Sequence, residues 1–350
     1  MPQQNSSLNK AKEIKNDEFY TLMEDIENEI SKYDLAQFKG KIVYCNCDDP
    51  TWSNFFKFFT KWGNRLRVKE VHFTNYANGK RTFNRQLTLF DLLDLKESAD
   101  DDKNGTAHHW VYTPATNKIV KKELKGDGDF RSAECVELLK KSDIVVTNPP
   151  FSLFREYVAQ LMRHNLKFLI IGDENNISYK EFFPLIKNNE VWLGYTKVKK
   201  FKQPDGDYKI FGNKCWYTNL DVAYRHKPLI LHAQDISQYK KYDNYDAIEV
   251  SQIKLIPDNY FEPMGVPMSI LEKFCPEQFE ILGLTSGRDE FDARPTKKYI
   301  NPIQINPDGN KISGSKANTR ATLLLDEVPN DIYYVADNAD KPMRIFMPVL

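Results

Sequence analysis

Apolar residues in the first two thirds of the chain fall into short unbroken runs set between polar turns. Lys41-Ile-Val-Tyr-Cys-Asn-Cys47, Val68-Lys-Glu-Val-His-Phe-Thr74 and Asp143-Ile-Val-Val-Thr147 read as strands buried on both faces, with further strands at 168–171, 191–193 and 215–218. Helical spacing appears between them, in Leu22, Ile26 and Ile30 and again in Leu153, Phe154, Tyr157, Val158 and Leu161, the latter with Ser152 as an N-cap. Strands alternating with helices predict an α/β fold with a doubly wound, mostly parallel sheet. Around residue 235 the alternation lapses into Tyr-rich, Pro-interrupted segments. The expected division is a mobile arm at 1–16, a first domain at 17–235 and a smaller second region at 236–350. A charged stretch at 93–106, with Asp100-Asp-Asp102, reads as an exposed insertion.

Composition narrows the classes of function. The 350 residues hold 49 Lys and Arg against 49 Asp and Glu, so a nucleic-acid ligand needs a local basic face. Such a face is suggested between Thr285 and Arg320, where Arg288, Lys297, Lys298, Lys316 and Arg320 stand among turn residues and are candidate phosphate contacts. The five cysteines lack paired metal-ligand spacing, which argues for buried thiols in a reducing, cytoplasmic compartment and against structural zinc. His108-His-Trp110 continues the exposed insertion and is not expected to bind metal, and His232, in an apolar segment, is expected in the core. No apolar run nears membrane-spanning length.

The candidate chemistry lies where the third buried run ends, in Asn148-Pro-Pro-Phe151. An exocyclic amine is a poor nucleophile because its lone pair is delocalised into the ring. The Asn148 side-chain oxygen and the Pro149 carbonyl can both accept from such an NH2, drawing the lone pair out of the ring plane. Pro149 and Pro150 fix the backbone that carries these acceptors, and Phe151 offers a face for stacking a base. Ligands of open α/β sheets bind at the carboxyl ends of strands, where this motif would lie. A methyl donor could be held by Asp49 and Ser53 after the first strand, and by Asp129 and Phe130 in Gly126-Asp-Gly-Asp-Phe130. A glycine-rich phosphate loop is missing, which argues against a dinucleotide or ATP site.

Several separate strings resemble the EcoRI-type adenine-specific DNA methyltransferases. They are Asp17-Glu-Phe-Tyr-Thr21, Val43-Tyr-Cys-Asn-Cys-Asp-Asp-Pro50 with Ser53-Asn-Phe-Phe56, Gly126-Asp-Gly-Asp-Phe-Arg-Ser-Ala-Glu134, and Val145-Val-Thr-Asn-Pro-Pro-Phe-Ser152. Met264-Gly-Val-Pro267 and Pro276-Glu-Gln-Phe279 extend the resemblance into the distal half. It implies a Rossmann-like methyltransferase sheet and methyl transfer from S-adenosylmethionine, without a metal, to N6 of an adenine flipped from duplex DNA. By position, Asn148, Pro149, Pro150 and Phe151 match the catalytic motif, and Tyr20 and Thr21 the motif touching the methionine part of the donor. Asp49 and Ser53 stand at the cofactor turn, and Asp129 and Phe130 match the adenine-contacting pair. The second strand ends in Thr74-Asn75 without the acid that commonly binds the donor ribose, leaving Asn75 as a substitute. The resemblance also implies 17–235 as the catalytic domain and 236–350 as the target-recognition region. It implies a monomer in the cytoplasm, belonging to a restriction-modification system or a phage, and paired in function with an endonuclease without a stable complex. The same motif could serve guanine N2 in RNA or a glutamine amide in protein, and a silent DNA-binding scaffold is the reading from another class.

Overall fold

Four parallel strands form the centre of the largest sheet among the described residues. The computed structural model describes residues 20–76, 106–203, 207–286 and 292–350. The arm expected at 1–16, all of the expected insertion except Thr106, and Arg288 lie outside the described residues. In chain order the largest sheet uses β1 (Tyr20–Thr21), β2 (Ile42–Cys45), β3 (Glu70–Thr74), β4 (His108–Thr113), β5 (Lys118–Glu123), β6 (Ile144–Thr147), β7 (Lys167–Asp173), β8 (Trp192–Lys202) and β9 (Tyr208–Thr218). Their spatial order is β1-β8-β9-β7-β6-β2-β3-β4-β5.

The three pairings β3–β2, β2–β6 and β6–β7 are parallel and the other five are antiparallel. The sheet is therefore mixed rather than mostly parallel. The reason lies in the connections: β4 and β5, and β8 and β9, are only a few residues apart in sequence, too few for the crossover that parallel neighbours need. His108-His-Trp110 opens β4 instead of extending an insertion, because His108, Trp110 and Tyr112 alternate into the core. The runs at 191–193 and 215–218 are only the buried ends of two eleven-residue strands.

The strands around the centre are dry. All four residues of β6 are buried, as are Val43, Tyr44 and Cys45 of β2. Helix α1 (Met23–Ile30) fixes an irregularity in β8 through Glu29, whose buried carboxylate accepts from the amides of Tyr195 and Thr196, both at 2.8 Å, and from the Tyr33 hydroxyl at 2.9 Å. Gly194 makes this possible, since a Cβ there would stand 2.2 Å from Glu29 Oε1. Helix α2 (Asn54–Leu66) starts at an N-cap, Ser53, which accepts from the Phe55 amide, and it buries Phe55, Phe56, Phe58 and Phe59. Helices α3 (Ala133–Lys140) and α4 (Phe154–Arg163) flank β6 in sequence. Ser152 does not cap α4; it lies within a single 3-10 turn, Phe151–Leu153, that leads into the helix.

The chain divides into two compact units, one comprising residues up to Asn175 with Val191–Val222, the other Asn176–Glu190 with Ala223–Leu350. The second unit contains β10 (Ile248–Glu249) paired parallel with β11 (Met264–Gly265). Its main sheet is antiparallel, formed by β12 (Ile303–Ile305), β13 (Lys311–Ser313), β14 (Ala321–Leu324), β15 (Tyr333–Val335) and β16 (Met343–Phe346) in the order β13-β12-β15-β16-β14. Tyrosines supply much of its core, and three of their hydroxyls have polar partners: Tyr245 donates to the Thr319 carbonyl at 2.7 Å, Tyr299 to Asp243 at 2.6 Å and Tyr334 to Gln304 at 2.8 Å. His232 is exposed here rather than in the core. Cys45, Cys135, Cys215 and Cys275 are buried free thiols. Among the described residues no helix is long and apolar enough to cross a membrane.

Candidate active site

Strands β2, β6 and β7 run in the same direction, so their carboxyl ends lie along one edge of the sheet. Thr147 closes β6, and Asn148-Pro-Pro-Phe151 follows it directly. The Pro150 carbonyl accepts from the Leu153 amide at 3.0 Å, holding the motif in a tight turn at the start of α4.

The next strand along, β2, empties into the segment carrying Asp48 and Asp49. Asp49 serves its own turn: its carboxylate accepts from the Thr51 amide at 2.9 Å and the Thr51 hydroxyl at 2.6 Å. Asp48, which sequence reasoning passed over, is the buried acid. Its carboxylate accepts from Ser53 Oγ at 2.9 Å and from Thr147 Oγ1 at 2.6 Å. One side chain thus ties the end of β2, the start of α2 and the last residue before Asn148. Burial pushes the Asp48 carboxyl up to about 7, against the pull of its two hydroxyl partners.

That shift has a testable sign. A carboxyl that ionises near pH ~4 when unfolded and near 7 when folded leaves the native state holding more protons between those values. Stability therefore falls as pH rises through this window. Asp25 and Glu29, also raised by burial, act in the same direction. Asp48→Asn is expected to make the fall shallower without abolishing it, read as urea midpoints at about pH 5 and pH 8. An identical pH dependence in variant and wild type would move the titration elsewhere.

The other residues expected on the donor side lie in distant parts of the chain. Tyr20 of β1 packs its ring on Trp52 at 4.1 Å between centroids, and the Thr21 carbonyl accepts from Asn54 Nδ2 at 2.8 Å. Strand β1 reaches this position by pairing with β8, Thr21 opposite Phe201. Asp129 is gripped by Arg131, whose Nη2 and Nε donate to it at 2.6 and 2.9 Å, and this holds its carboxyl below the usual range. Phe130 is buried, its ring 5.0 Å from that of Tyr157 and its carbonyl accepting from Gln160 Nε2. The Tyr157 hydroxyl donates in turn to Asn46 Oδ1 after β2, so the 126–131 loop and the β2 turn share α4 as their support. Gly128, at φ +76°, sits against the Asn75 carbonyl. Asn75 Oδ1 itself accepts from the His108 amide at 2.8 Å, which commits that oxygen to joining β3 and β4.

Phe151 stands in an aromatic wall. Its ring meets those of Phe201 and Phe211 edge-on, with centroids 6.1 and 6.3 Å away. The Lys214 ammonium lies 4.4 Å from the centre of the Phe151 ring and forms a 2.5 Å ion pair with Asp173 at the end of β7. Phe201, Phe211, Lys214 and Asp173 carry no local motif, and only the pairing of β7, β8 and β9 brings them to the site.

Of the candidate phosphate contacts, Lys297 pairs with Asp243 at 2.8 Å, Arg320 is half-buried, and Lys298 and Lys316 are exposed. His109 and His72 meet at 3.0 Å, and burial takes His109 down to about 4, so it is neutral near pH 7. Among the described residues no cluster of three or more His, Cys, Asp or Glu side chains is arranged to hold a metal ion.

A parallel sheet centre with Asn-Pro-Pro-Phe at its carboxyl edge, beside a buried acid at the neighbouring strand end, is the layout of an amino-group methyltransferase. Residues 7–325 match the family model described as adenine-specific methyltransferase EcoRI. The type II methyltransferase M.EcoRI of Escherichia coli is 45% identical over 315 residues, covering 82% of this chain and 92% of that relative. The type II methyltransferases M.MgeORF184P of Mycoplasma genitalium and M.MpnI of Mycoplasma pneumoniae are each 35% identical, over 84% of this chain and 91% and 90% of their own lengths. No solved structure matches. The chain belongs to the EcoRI family of adenine-specific DNA methyltransferases.

Proposed function

We propose that this chain transfers a methyl group from S-adenosylmethionine to N6 of an adenine rotated out of duplex DNA, on a Rossmann-like core. The observation that carries the reading is the Asp48–Thr147 hydrogen bond, which couples the donor turn to the residue preceding Asn148. The residues suit such a donor. Thr21 Oγ1 and Asn46 Nδ2 are buried with no hydrogen-bond partner among the described residues, and a donor bearing carboxylate, amine and hydroxyl groups would satisfy both. When bound, S-adenosylmethionine supplies an electrophilic methyl group on sulfur. Asn148 and the Pro149 carbonyl accept from the adenine amine, localising its lone pair, while Phe151 stacks on the base. Extruding the nucleotide costs roughly a few kcal/mol, which stacking in the aromatic wall offsets. The transfer as proposed uses no metal.

The type II names of the relatives support a place in a restriction-modification system, opposite an endonuclease that shares the DNA site without a stable complex. We assign target recognition to the region from 236 onward, with Lys298, Lys316 and Arg320 as phosphate contacts, and take the protein to act as a cytoplasmic monomer. The test is transfer of labelled methyl from S-adenosylmethionine to duplex DNA and to RNA, followed by nucleoside analysis. N6-methyladenine in DNA is the expected product; label in RNA, or in neither, would overturn the proposal.

A further inference from the structure

The β8–β9 hairpin has two faces of different character. Beyond the irregularity in β8, Lys200 stands opposite Ile210, Phe201 opposite Lys209 and Lys202 opposite Tyr208. Residues directly opposite share a face and neighbours along a strand alternate. Phe201 and Phe211 therefore lie on one face, the one in contact with Phe151. Lys200, Lys202, Tyr208 and Ile210 make up the other.

This outer face is open along β9, while at its β8 edge Lys202 stands opposite Tyr20, which packs on Trp52. Ile210 is 78% exposed and Tyr208 53%, and the Lys200 ammonium rests 3.9 Å from the centre of the Tyr208 ring. On α2, partial burial, with the positive charge of Lys202 adding to it, pulls the Lys57 ammonium below the usual range. Neither lysine has a carboxylate partner among the described residues. Lys200 and Lys202, two residues apart on one strand, present their charges on the same face, and in a chain of zero net charge that positive patch is local. Lysines interleaved with an exposed aromatic and an exposed aliphatic side chain suit a nucleic-acid strand, with phosphates on the ammonium groups and sugars or base faces on the apolar ones.

We propose that the outer face of the β8–β9 hairpin, Lys200, Lys202, Tyr208 and Ile210 with Lys57 beside it, binds the sugar–phosphate backbone of the DNA strand next to the flipped adenine. The proposal rests on the function given above, since Phe201 and Phe211 set this hairpin against Phe151, where the adenine is proposed to stack. It adds a contact surface far in sequence from the C-terminal basic segment. The hairpin grips the strand on one face and supports the Phe151 ring with the other.

The test is the double variant Lys200→Gln/Lys202→Gln and, separately, Ile210→Ser, each measured for duplex DNA affinity across salt concentrations and for S-adenosylmethionine binding by calorimetry. If both lysines contact phosphate, the slope of log affinity against log salt becomes shallower by about 1.8, roughly 0.9 per phosphate, with donor affinity unchanged. Ile210→Ser should weaken DNA binding with the wild-type slope. Wild-type slope and affinity in both variants would remove the hairpin and leave the methyltransferase reading intact. Weakened donor binding with an unchanged DNA slope would assign the lysines to the donor and also overturn the proposal. A wild-type protein that binds no duplex DNA would sink both readings together.

Discussion

Asn148→Ala is expected to lower methyl-transfer turnover by roughly 10²- to 10³-fold, the scale seen when one preorganised hydrogen-bonding group is removed from a reaction centre. Duplex DNA affinity should change far less. The difference follows from when the interaction is made. In the ground state the amine is planar, and an acceptor on its hydrogens contributes an ordinary hydrogen bond; as the nitrogen becomes tetrahedral and positive, the same acceptor meets a much stronger donor. The loss therefore falls on kcat, with KM for DNA close to wild type. Single-turnover transfer beside fluorescence anisotropy separates the two quantities. Normal turnover in the variant would end the role given to Asn148, and a matching loss of DNA affinity would recast it as a binding residue.

Gly128→Ala is expected to cost at least about 2 kcal/mol of stability and to weaken S-adenosylmethionine binding. The backbone at Gly128 has φ +76°, a region that costs an L-residue roughly 1–2 kcal/mol. In addition, the new Cβ would stand 1.9 Å from the Asn75 carbonyl oxygen and 3.0 Å from the Ala107 Cβ. Neither neighbour is the end of a flexible side chain, so the loop must lift away from β3. It would carry Asp129 and Phe130 with it and loosen the Phe130 contact with Tyr157. Gly126→Ala is the control, since a Cβ there meets nothing within 4 Å. Thermal unfolding and calorimetric titration of both variants check the account; equal behaviour of the two would refute it.

What could be read from the sequence was what is local. Strands β2 and β6 announce themselves because a strand buried on both faces must be a continuous apolar run, and Asn148 to Phe151 stand out as a candidate because the proposed chemistry needs adjacent residues. Strand β4 was hidden: its alternation of His108, Trp110 and Tyr112 into the core uses residues whose polarity suggests surface. The middle of the β8–β9 hairpin was hidden for the same reason, with Lys197, Lys199, Lys200 and Lys202 masking the inward-pointing Val198 and Phe201. Asp48 and Asp49 are indistinguishable until Thr147, 99 residues distant, selects one of them. The ion pair of Lys214 with Asp173 is likewise a product of strand pairing and leaves no mark in either segment.

The spatial order of the strands also sets a timetable for synthesis. Strands β2 to β5 are consecutive in sequence and adjacent in the sheet, so they can assemble as soon as they leave the ribosome. The far side of β2 then waits for β6, whose arrival closes a loop of about a hundred residues and sets Asn148 beside the turn that follows β2. During that interval Val43, Tyr44 and Cys45 present an open, apolar strand edge, the kind of template on which nascent chains join one another. The candidate reaction centre thus forms when β6 closes that gap, before β7, β9 and β8 extend the sheet beyond it. A chain stalled between Glu123 and Ile144 would leave that apolar edge uncovered.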